Sequence, residues 1–87
     1  MEIIYALQAL EDIAFWKKSG NKAVQEKISA LIDDILKHPY TGIGKPEALK
    51  YQLSGFWSRR ITREDRLIYS VNIENKSIEI ETARGHY

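Results

Sequence analysis

GKPEALKYQLSGFWSRRITREDR, residues 44–66, is the stretch that decides the fold. It holds six of the thirteen Lys and Arg residues of the chain, against three acidic residues. Its Pro and Gly positions predict a loop, a strand, a tight turn at Ser54-Gly55 and the start of a second strand. Because so many cations fall on one predicted sheet, the stretch favours a surface that faces an anion.

Length and composition restrict the class of protein. Eighty-seven residues predict one domain, 1–87, with a single core. The chain has no Cys, and therefore no disulfide and no thiolate metal site. No apolar run approaches the roughly 20 residues of a membrane span. The start, MEIIYALQALED, is acidic and lacks the basic region of a signal peptide. We therefore expect a soluble, cytoplasmic protein.

The net charge of +1 conceals an asymmetry. Residues 1–44 carry five basic and six acidic side chains, a net charge of −1. Residues 45–87 carry eight and six, a net charge of +2. A local basic field of this kind attracts polyanions, although a mixed-charge face is also common on surfaces that bind nothing.

The N-terminal half predicts a strand followed by a helical hairpin. β-Branched and aromatic residues favour a strand over Glu2–Tyr5. The period of residues 7–19 is helical, and its expected apolar stripe is Leu7, Leu10, Ala14 and Lys17, with Ile13 beside it. Asn21 is expected to cap a second helix, which ends at His38 because Pro39 disfavours helical geometry before it. This helix has the strongest period of the chain, at Val24, Ile28, Leu31, Ile32, Ile35 and Leu36.

The C-terminal half predicts a sheet. Residues 39–48 are punctuated by Pro and Gly and predict a loop. The expected strands are Leu49–Leu53, Phe56–Ile61, Arg66–Ile73 and Ile78–Ala83, with a polar turn at Thr62–Asp65 and a tail at Arg84–Tyr87. The order β-α-α-β-β-β(-β) predicts an α+β fold, in which a helical hairpin packs on one face of a mostly antiparallel, twisted sheet.

The basic side chains can line one concave surface on the free face of that sheet. Alternation places Ser58 and Arg60 on one side of their strand, and Trp57 and Arg59 on the other. The cations expected on or near the surface are Lys45, Lys50, Arg59, Arg60 and Arg66. Such a surface suits the phosphates of RNA.

The chain offers the groups that RNA cleavage needs. The attacking 2′-OH belongs to the substrate, so neither an enzyme nucleophile nor a metal or other cofactor is required. Glu47 is a candidate base for the 2′-OH proton, and His86 is a candidate acid for the leaving 5′-oxygen. Arg60 and Arg66 can stabilise charge on the phosphorane. Tyr87 can stack on a base or orient a phosphate.

Other interpretations of these residues remain open. A histidine near a terminus is more often exposed and without function. Glu47 can equally form a weak surface pair with Lys50. Arginine pairs such as Arg59-Arg60 are often only solubility features, and spacing alone does not show that Glu47, Arg66 and His86 converge.

At these residues the sequence resembles the YoeB toxins of the RelE/ParE superfamily, over essentially its full length. The resemblance is carried by Gly44-Lys45-Pro46-Glu47, by LSGFWSRRIT at residues 53–62, by Arg66-Leu67-Ile68-Tyr69 and by the closing His86-Tyr87. It implies a RelE-like, microbial-ribonuclease-like fold. It also implies a ribosome-dependent endoribonuclease, an mRNA interferase that cuts translated messages in the ribosomal A site.

The resemblance implies roles and partners as well. Glu47 would be the general base, His86 the general acid and Arg66 the clamp on the transition state. Tyr87 would position the substrate, with positive charge from Lys50 and Arg60. A YefM-type antitoxin would inhibit the toxin and join it in repressing their operon, so that operator DNA is met only through that complex. A homodimer is typical of such toxins.

Gly85 departs from the family, which usually has an aromatic residue there, and we expect it to act as a flexible joint. Two rival functions belong to other classes. One is a ParE-like inhibitor of DNA gyrase, which has no need to combine Glu47, His86 and Tyr87. The other is a non-catalytic module that binds nucleic acid or an antitoxin.

Overall fold

The chain folds as two helices on one face of a five-stranded sheet. A computed structural model describes residues 1–85. The helices are α1 (Leu7–Ser19) and α2 (Lys22–Lys37). The strands are β1 (Glu2–Tyr5), β2 (Glu47–Ala48), β3 (Phe56–Arg60), β4 (Arg66–Asn72) and β5 (Ser77–Thr82). Their order in the sheet is β1-β5-β4-β3-β2, with β1 parallel to β5 and every other pair antiparallel. The predicted α+β fold is confirmed.

The core lies between the helices and the sheet, and α2 supplies much of it. Asn21 caps the helix as predicted, since its side-chain oxygen accepts the Val24 N–H at 3.1 Å. The helix ends before Pro39, at a cap formed by His38. Its buried stripe is Val24, Ile28, Leu31 and Ile35, in one cluster with Leu67, Tyr69, Ile78 and Ile80 of the sheet. The helical period therefore predicted these four residues correctly, whereas Ile32 is only partly buried and Leu36 is exposed. Within residues 1–85, neither helix has the length and apolar character to span a membrane.

The buried stripe of α1 differs from the predicted one. Leu7 and Leu10 are 73% and 51% exposed. Ile13 packs against the core as predicted, but its companions there are Ala9, Asp12 and Trp16. The prediction failed because Asp12 was counted as a surface residue. Its carboxylate is buried, but it accepts hydrogen bonds from the Ala83 N–H and from the Gln8 side-chain amide, each at 2.9 Å. These hydrogen bonds offset the cost of desolvation.

Residues 49–53 are not the strand that the sequence predicted. Tyr51–Leu53 form a short 3₁₀ turn, and Tyr51 has a left-handed φ of 59°, which interrupts extended backbone. The strand that pairs with β3 lies earlier, at Glu47–Ala48, inside the predicted loop 39–48. This shift brings Glu47 into the sheet.

Arg59 is a structural residue, and its prediction as a phosphate ligand is wrong. Its side chain is 0% exposed, and a guanidinium has five N–H donors. All five are used. Nε donates to the Tyr69 hydroxyl at 3.2 Å, and Nη1 donates to Asp34 Oδ2 at 2.6 Å. The remaining donors bind the carbonyls of His38, Thr41 and Ile43.

The pKa values of Asp34 and Tyr69 shift in opposite directions, the first because of Arg59 and the second because of burial. The hydrogen bond from Arg59 holds the pKa of Asp34 below its usual range, against an opposing effect of burial. The stability that this carboxylate contributes is therefore present above its unfolded pKa of about 4 and is lost as pH falls through the lower folded value. Burial raises the pKa of Tyr69, so its hydroxyl stays protonated and donates to Pro39 O at 2.6 Å.

Replacing Arg59 by Met keeps an unbranched stem and removes all five donors. We expect Arg59→Met to lower the free energy of unfolding by about 3 kcal/mol or more, because a carboxylate and three carbonyls lose a buried partner. Urea denaturation measures this change. The exposed neighbour provides the control, since Arg60→Met should alter stability by less than about 0.5 kcal/mol. Equal losses from the two variants would contradict the role of Arg59.

Candidate active site on the open sheet face

The sheet face turned away from the helices is called the open face here. Trp57 and Arg59 on β3 point toward the helices, as their partners Tyr69 and Leu67 do. Alternation along the strand therefore places Phe56, Ser58 and Arg60 on the open face. The candidate site lies across the β2, β3 and β4 part of this face.

Strand register brings Glu47, Arg60 and Arg66 together. Glu47 lies opposite Ser58, which lies opposite Ile68, so these three form one row across the strands. Arg60 and Arg66 lie opposite each other in the next row, about 7 Å along the strand. Glu47 and Arg60 are exposed and Arg66 is half-buried. One carboxylate and two guanidinium groups can thus reach a single phosphodiester.

Lys45 extends the basic surface on one side of Glu47. It lines a cleft with Arg60 and with Lys27 of α2. Gly44 sets the shape of this cleft, since its carbonyl accepts the Arg60 N–H at 2.7 Å. A Cβ at Gly44, whose φ is +80°, would lie 2.6 Å from Leu31 Cδ2, so only glycine fits here. Sequence reasoning missed Lys27, although a lysine within the apolar stripe of α2 was a usable signal.

Lys50 lies on the other side of Glu47 and is separate from Lys45. It is exposed and precedes the 3₁₀ turn Tyr51–Leu53. The predicted cations therefore do not form one cluster. Lys45 and Arg60 flank one end of β2, Lys50 follows the other end, and Arg59 is removed to the core.

The floor of the site contains a residue that the sequence did not indicate. Ser58 is fully buried between Glu47 and Ile68 in the row across the strands. Its hydroxyl is the one buried side-chain polar atom that lacks a hydrogen-bond partner among the described residues. No sequence signal distinguishes this serine from others in strands.

The charge on the open face changes from positive to negative toward β5. Glu79 lies opposite Ser70, which lies opposite Phe56, so it shares the open face. Burial raises the pKa of the neighbouring Glu81, and the charge and hydrogen bond of Glu79 raise it further. Binding of a polyanion is therefore favoured on the β2, β3 and β4 part of the face and opposed near β5.

Gly85 is held in place, which corrects the expected flexible joint. Its N–H donates to Asp65 Oδ1 at 2.8 Å, and its carbonyl accepts the Arg66 N–H at 2.7 Å. Both of its backbone polar groups are therefore used, one of them at the first residue of β4. The predicted site residues His86 and Tyr87 lie outside the described residues.

Comparisons with known proteins agree with the resemblance seen in the sequence. Residues 5–87 match the family described as the YoeB-like toxin of bacterial type II toxin-antitoxin system. Toxin YoeB of Escherichia coli strain K12 is 44% identical over 87 residues, which is 100% of both chains.

Solved structures of similar sequence share the fold. A YoeB/ParE toxin from Agrobacterium tumefaciens is 38% identical with a TM-score of 0.95, covering 100% of both chains. Two structures from Staphylococcus aureus are each 38% identical and cover 100% of this chain and 98% of theirs. One is a heterotetrameric YoeB-YefM toxin-antitoxin complex with a TM-score of 0.87, and the other is a YoeB dimer with a TM-score of 0.89.

The backbone conformation of Gly85 favours glycine at this position. Its φ of +78° lies in the left-handed region, where a Cβ costs about 1–2 kcal/mol. We expect Gly85→Ala to speed amide hydrogen exchange at Arg66 by about 5- to 30-fold, because the bond to the Gly85 carbonyl opens more often. Gly85→Asn should have a smaller effect, since Asn tolerates this region. Unchanged Arg66 exchange in Gly85→Ala would contradict the anchoring of this residue.

Proposed function

Because this chain belongs to the YoeB-like toxins of bacterial type II toxin-antitoxin systems, we propose that it is a ribosome-dependent endoribonuclease. In this proposal it cleaves translated mRNA in the ribosomal A site. The observation that carries the proposal is the strand register, which places Glu47 on one face with Arg60 and Arg66. This arrangement offers a base and two cations to one phosphodiester.

The reaction needs two proton transfers. Glu47 takes the proton of the substrate 2′-OH as that oxygen attacks the adjacent phosphorus. The bond from the 2′-oxygen to phosphorus forms, and the bond from phosphorus to the 5′-oxygen breaks. His86 gives its proton to the leaving 5′-oxygen, so the products are a 2′,3′-cyclic phosphate and a free 5′-hydroxyl. Tyr87 positions the nucleotide by stacking or by a hydrogen bond.

Positive charge stabilises the transition state. Arg66 binds the non-bridging oxygens of the phosphorane in the bidentate geometry that guanidinium groups favour. Arg60, opposite it in the register, adds a second cation. Lys45 and Lys50 are proposed to contact phosphates on either side of the scissile bond, which fits their places beyond the two ends of β2.

The proposed chemistry is independent of metal ions and cofactors, because the nucleophile is part of the substrate. Within residues 1–85, no group of three His, Cys, Asp or Glu side chains is placed to hold a metal ion. The test uses the purified toxin, since ribosomes themselves require Mg²⁺. A tightly bound divalent ion whose removal stops cleavage would contradict this part of the proposal.

The proposed partners follow from the relatives. A YoeB of S. aureus is found in a complex with YefM, and a YoeB dimer is known from the same organism. We propose that this chain binds a YefM-type antitoxin, forms a homodimer and acts in the cytoplasm. With the antitoxin it represses their operon and contacts operator DNA only through that complex.

Toe-printing of translating ribosomes tests the proposed function. Cuts at the A-site codon that appear only with translated message are the expected result. Two arms address the rival functions. Loss of gyrase supercoiling activity without message cleavage would indicate a ParE-like inhibitor. Neither message cleavage nor loss of supercoiling activity would indicate a non-catalytic binding module.

Arg66→Ala should abolish detectable cleavage while the protein still folds. Loss of a preorganised cation at a transition state typically costs about 10²–10³ in rate. Arg66 is half-buried at the start of β4, and its backbone bond to Gly85 does not need the side chain. Arg63→Ala is the matched control, since Arg63 is exposed in the turn before β4. A folded Arg66→Ala protein that cleaves at the wild-type rate would defeat the assignment.

Deleting His86-Tyr87 should separate activity from stability. β5 ends at Thr82, and the bonds of residues 83–85 remain in the truncated chain. We expect the melting temperature to fall by only a few degrees, as for about 1 kcal/mol in a domain of this size. Cleavage should be lost, and His86→Ala alone should slow it by about 10²–10⁴ through loss of the general acid. A truncated protein that melts normally and still cuts would rule out a catalytic role for the pair.

A further inference from the structure

The three residues between β5 and the terminal pair, Ala83–Gly85, are here called the anchor segment. Chain termini outside a sheet usually fray, because few bonds hold them. Every residue of this segment makes a specific contact with another part of the chain. Ala83 is 0% exposed, Arg84 covers an aromatic ring, and both polar backbone groups of Gly85 are bonded.

Two side chains of α1 bind the backbone of Ala83. Its N–H donates to Asp12 Oδ2 at 2.9 Å, and its carbonyl accepts Trp16 Nε1–H at 2.9 Å. Asp12 and Trp16 are four residues apart and therefore lie on one face of the helix. Together they satisfy both polar groups of the first residue after β5. The side chains of this pair contact backbone, so they fix the path of the main chain at Ala83 directly.

The rest of the anchor segment is fixed at independent points. The Arg84 guanidinium carbon lies 3.5 Å from the centre of the Phe15 ring on α1. Asp65, which binds the Gly85 N–H, is itself oriented by a bond of 2.7 Å from the Thr62 hydroxyl. Three consecutive residues are thus tied to a helix, a turn and the first residue of β4. Such a set fixes both the position and the direction of the backbone through Gly85.

We propose that Asp12 and Trp16 are positioning residues for the terminal pair His86-Tyr87. This inference rests on the proposed function, in which His86 delivers a proton to the 5′-oxygen. Proton transfer requires the acid within hydrogen-bond reach of the leaving atom, and a misplacement of about 1 Å can cost about 10²-fold in rate. The α1 pair acts at a distance, since its bonds are to Ala83 and not to the substrate.

The experiment uses single-turnover cleavage on programmed ribosomes, with the toxin in excess. Trp16→Phe removes the indole donor and keeps an aromatic ring in the core. We expect the saturating rate to fall by about 10- to 100-fold, with the half-saturating toxin concentration unchanged. Trp57→Phe is the matched control, because it makes the same substitution at another partly buried position packed against the core. Within residues 1–85, the Trp57 indole makes no hydrogen bond. It should leave both parameters near the wild-type values.

Asp12 provides a conservative rescue. Asp12→Ala removes the acceptor of the Ala83 N–H and should lower the saturating rate as Trp16→Phe does. Asp12→Asn keeps one oxygen for Ala83 and can donate to the side-chain oxygen of a rotated Gln8 amide, so it should restore most of the rate. If Asp12→Ala does not fold, Trp16→Phe still decides the question.

A double-mutant cycle with His86→Ala separates positioning from general destabilisation. If Trp16 acts through His86, Trp16→Phe should have no further effect on the saturating rate in the His86→Ala background. An equal loss in both backgrounds, or a wild-type rate for Trp16→Phe when His86→Ala is inactive, would overturn the inference alone. A fully active His86→Ala would overturn the proposed chemistry and the inference with it.

Discussion

The buried guanidinium of Arg59 is the interaction on which the rest of the structure depends. It lies at the junction of three segments, since its donors bind Asp34 on α2, Tyr69 on β4 and carbonyls of residues 38–43. A buried cation is costly unless all its donors are bonded, so this position admits few arrangements of the surrounding chain. The loop after α2 has no regular structure of its own, and Arg59 supplies its partners.

The hydrogen bonds of Arg59 also fix the position of the candidate site, because the backbone they hold leads directly to Glu47. Residues 38–43 are held against β3, and the next residue, Gly44, bonds to Arg60. The chain therefore arrives at Glu47 along the edge of β3, in the register that puts Glu47 opposite Ser58. A buried ion pair often adds little net stability compared with apolar residues of similar size. Its value here lies in fixing one geometry for a loop that apolar packing would leave less defined.

The sequence was sufficient to predict structure where the pattern of apolar residues depends on local period alone. The stripe of α2 and the alternation of β4 follow directly from residue spacing, and Asn21 and Pro39 give the ends of α2. Prediction failed where a polar group is buried. Asp12 and Arg59 belong inside the protein because distant backbone groups satisfy them, and no local pattern contains that information. The meeting of Glu47 with Arg60 and Arg66 likewise depends on strand register, which the sequence does not specify.

The parallel pairing of β1 with β5 has a consequence for synthesis of the chain. Glu2 lies opposite Ser77 and Tyr5 opposite Ile80, so β1 has no strand partner until residues 77–80 have been synthesised. Such pairing gives the fold a large share of contacts between residues far apart in the chain, which slows folding because a long loop must close first. α1 depends on the same segment, since Asp12 and Trp16 bind Ala83. A nascent chain that lacks residues 77–83 can form the helical hairpin but not the complete sheet, and its α1 has no backbone partner for Asp12 and Trp16.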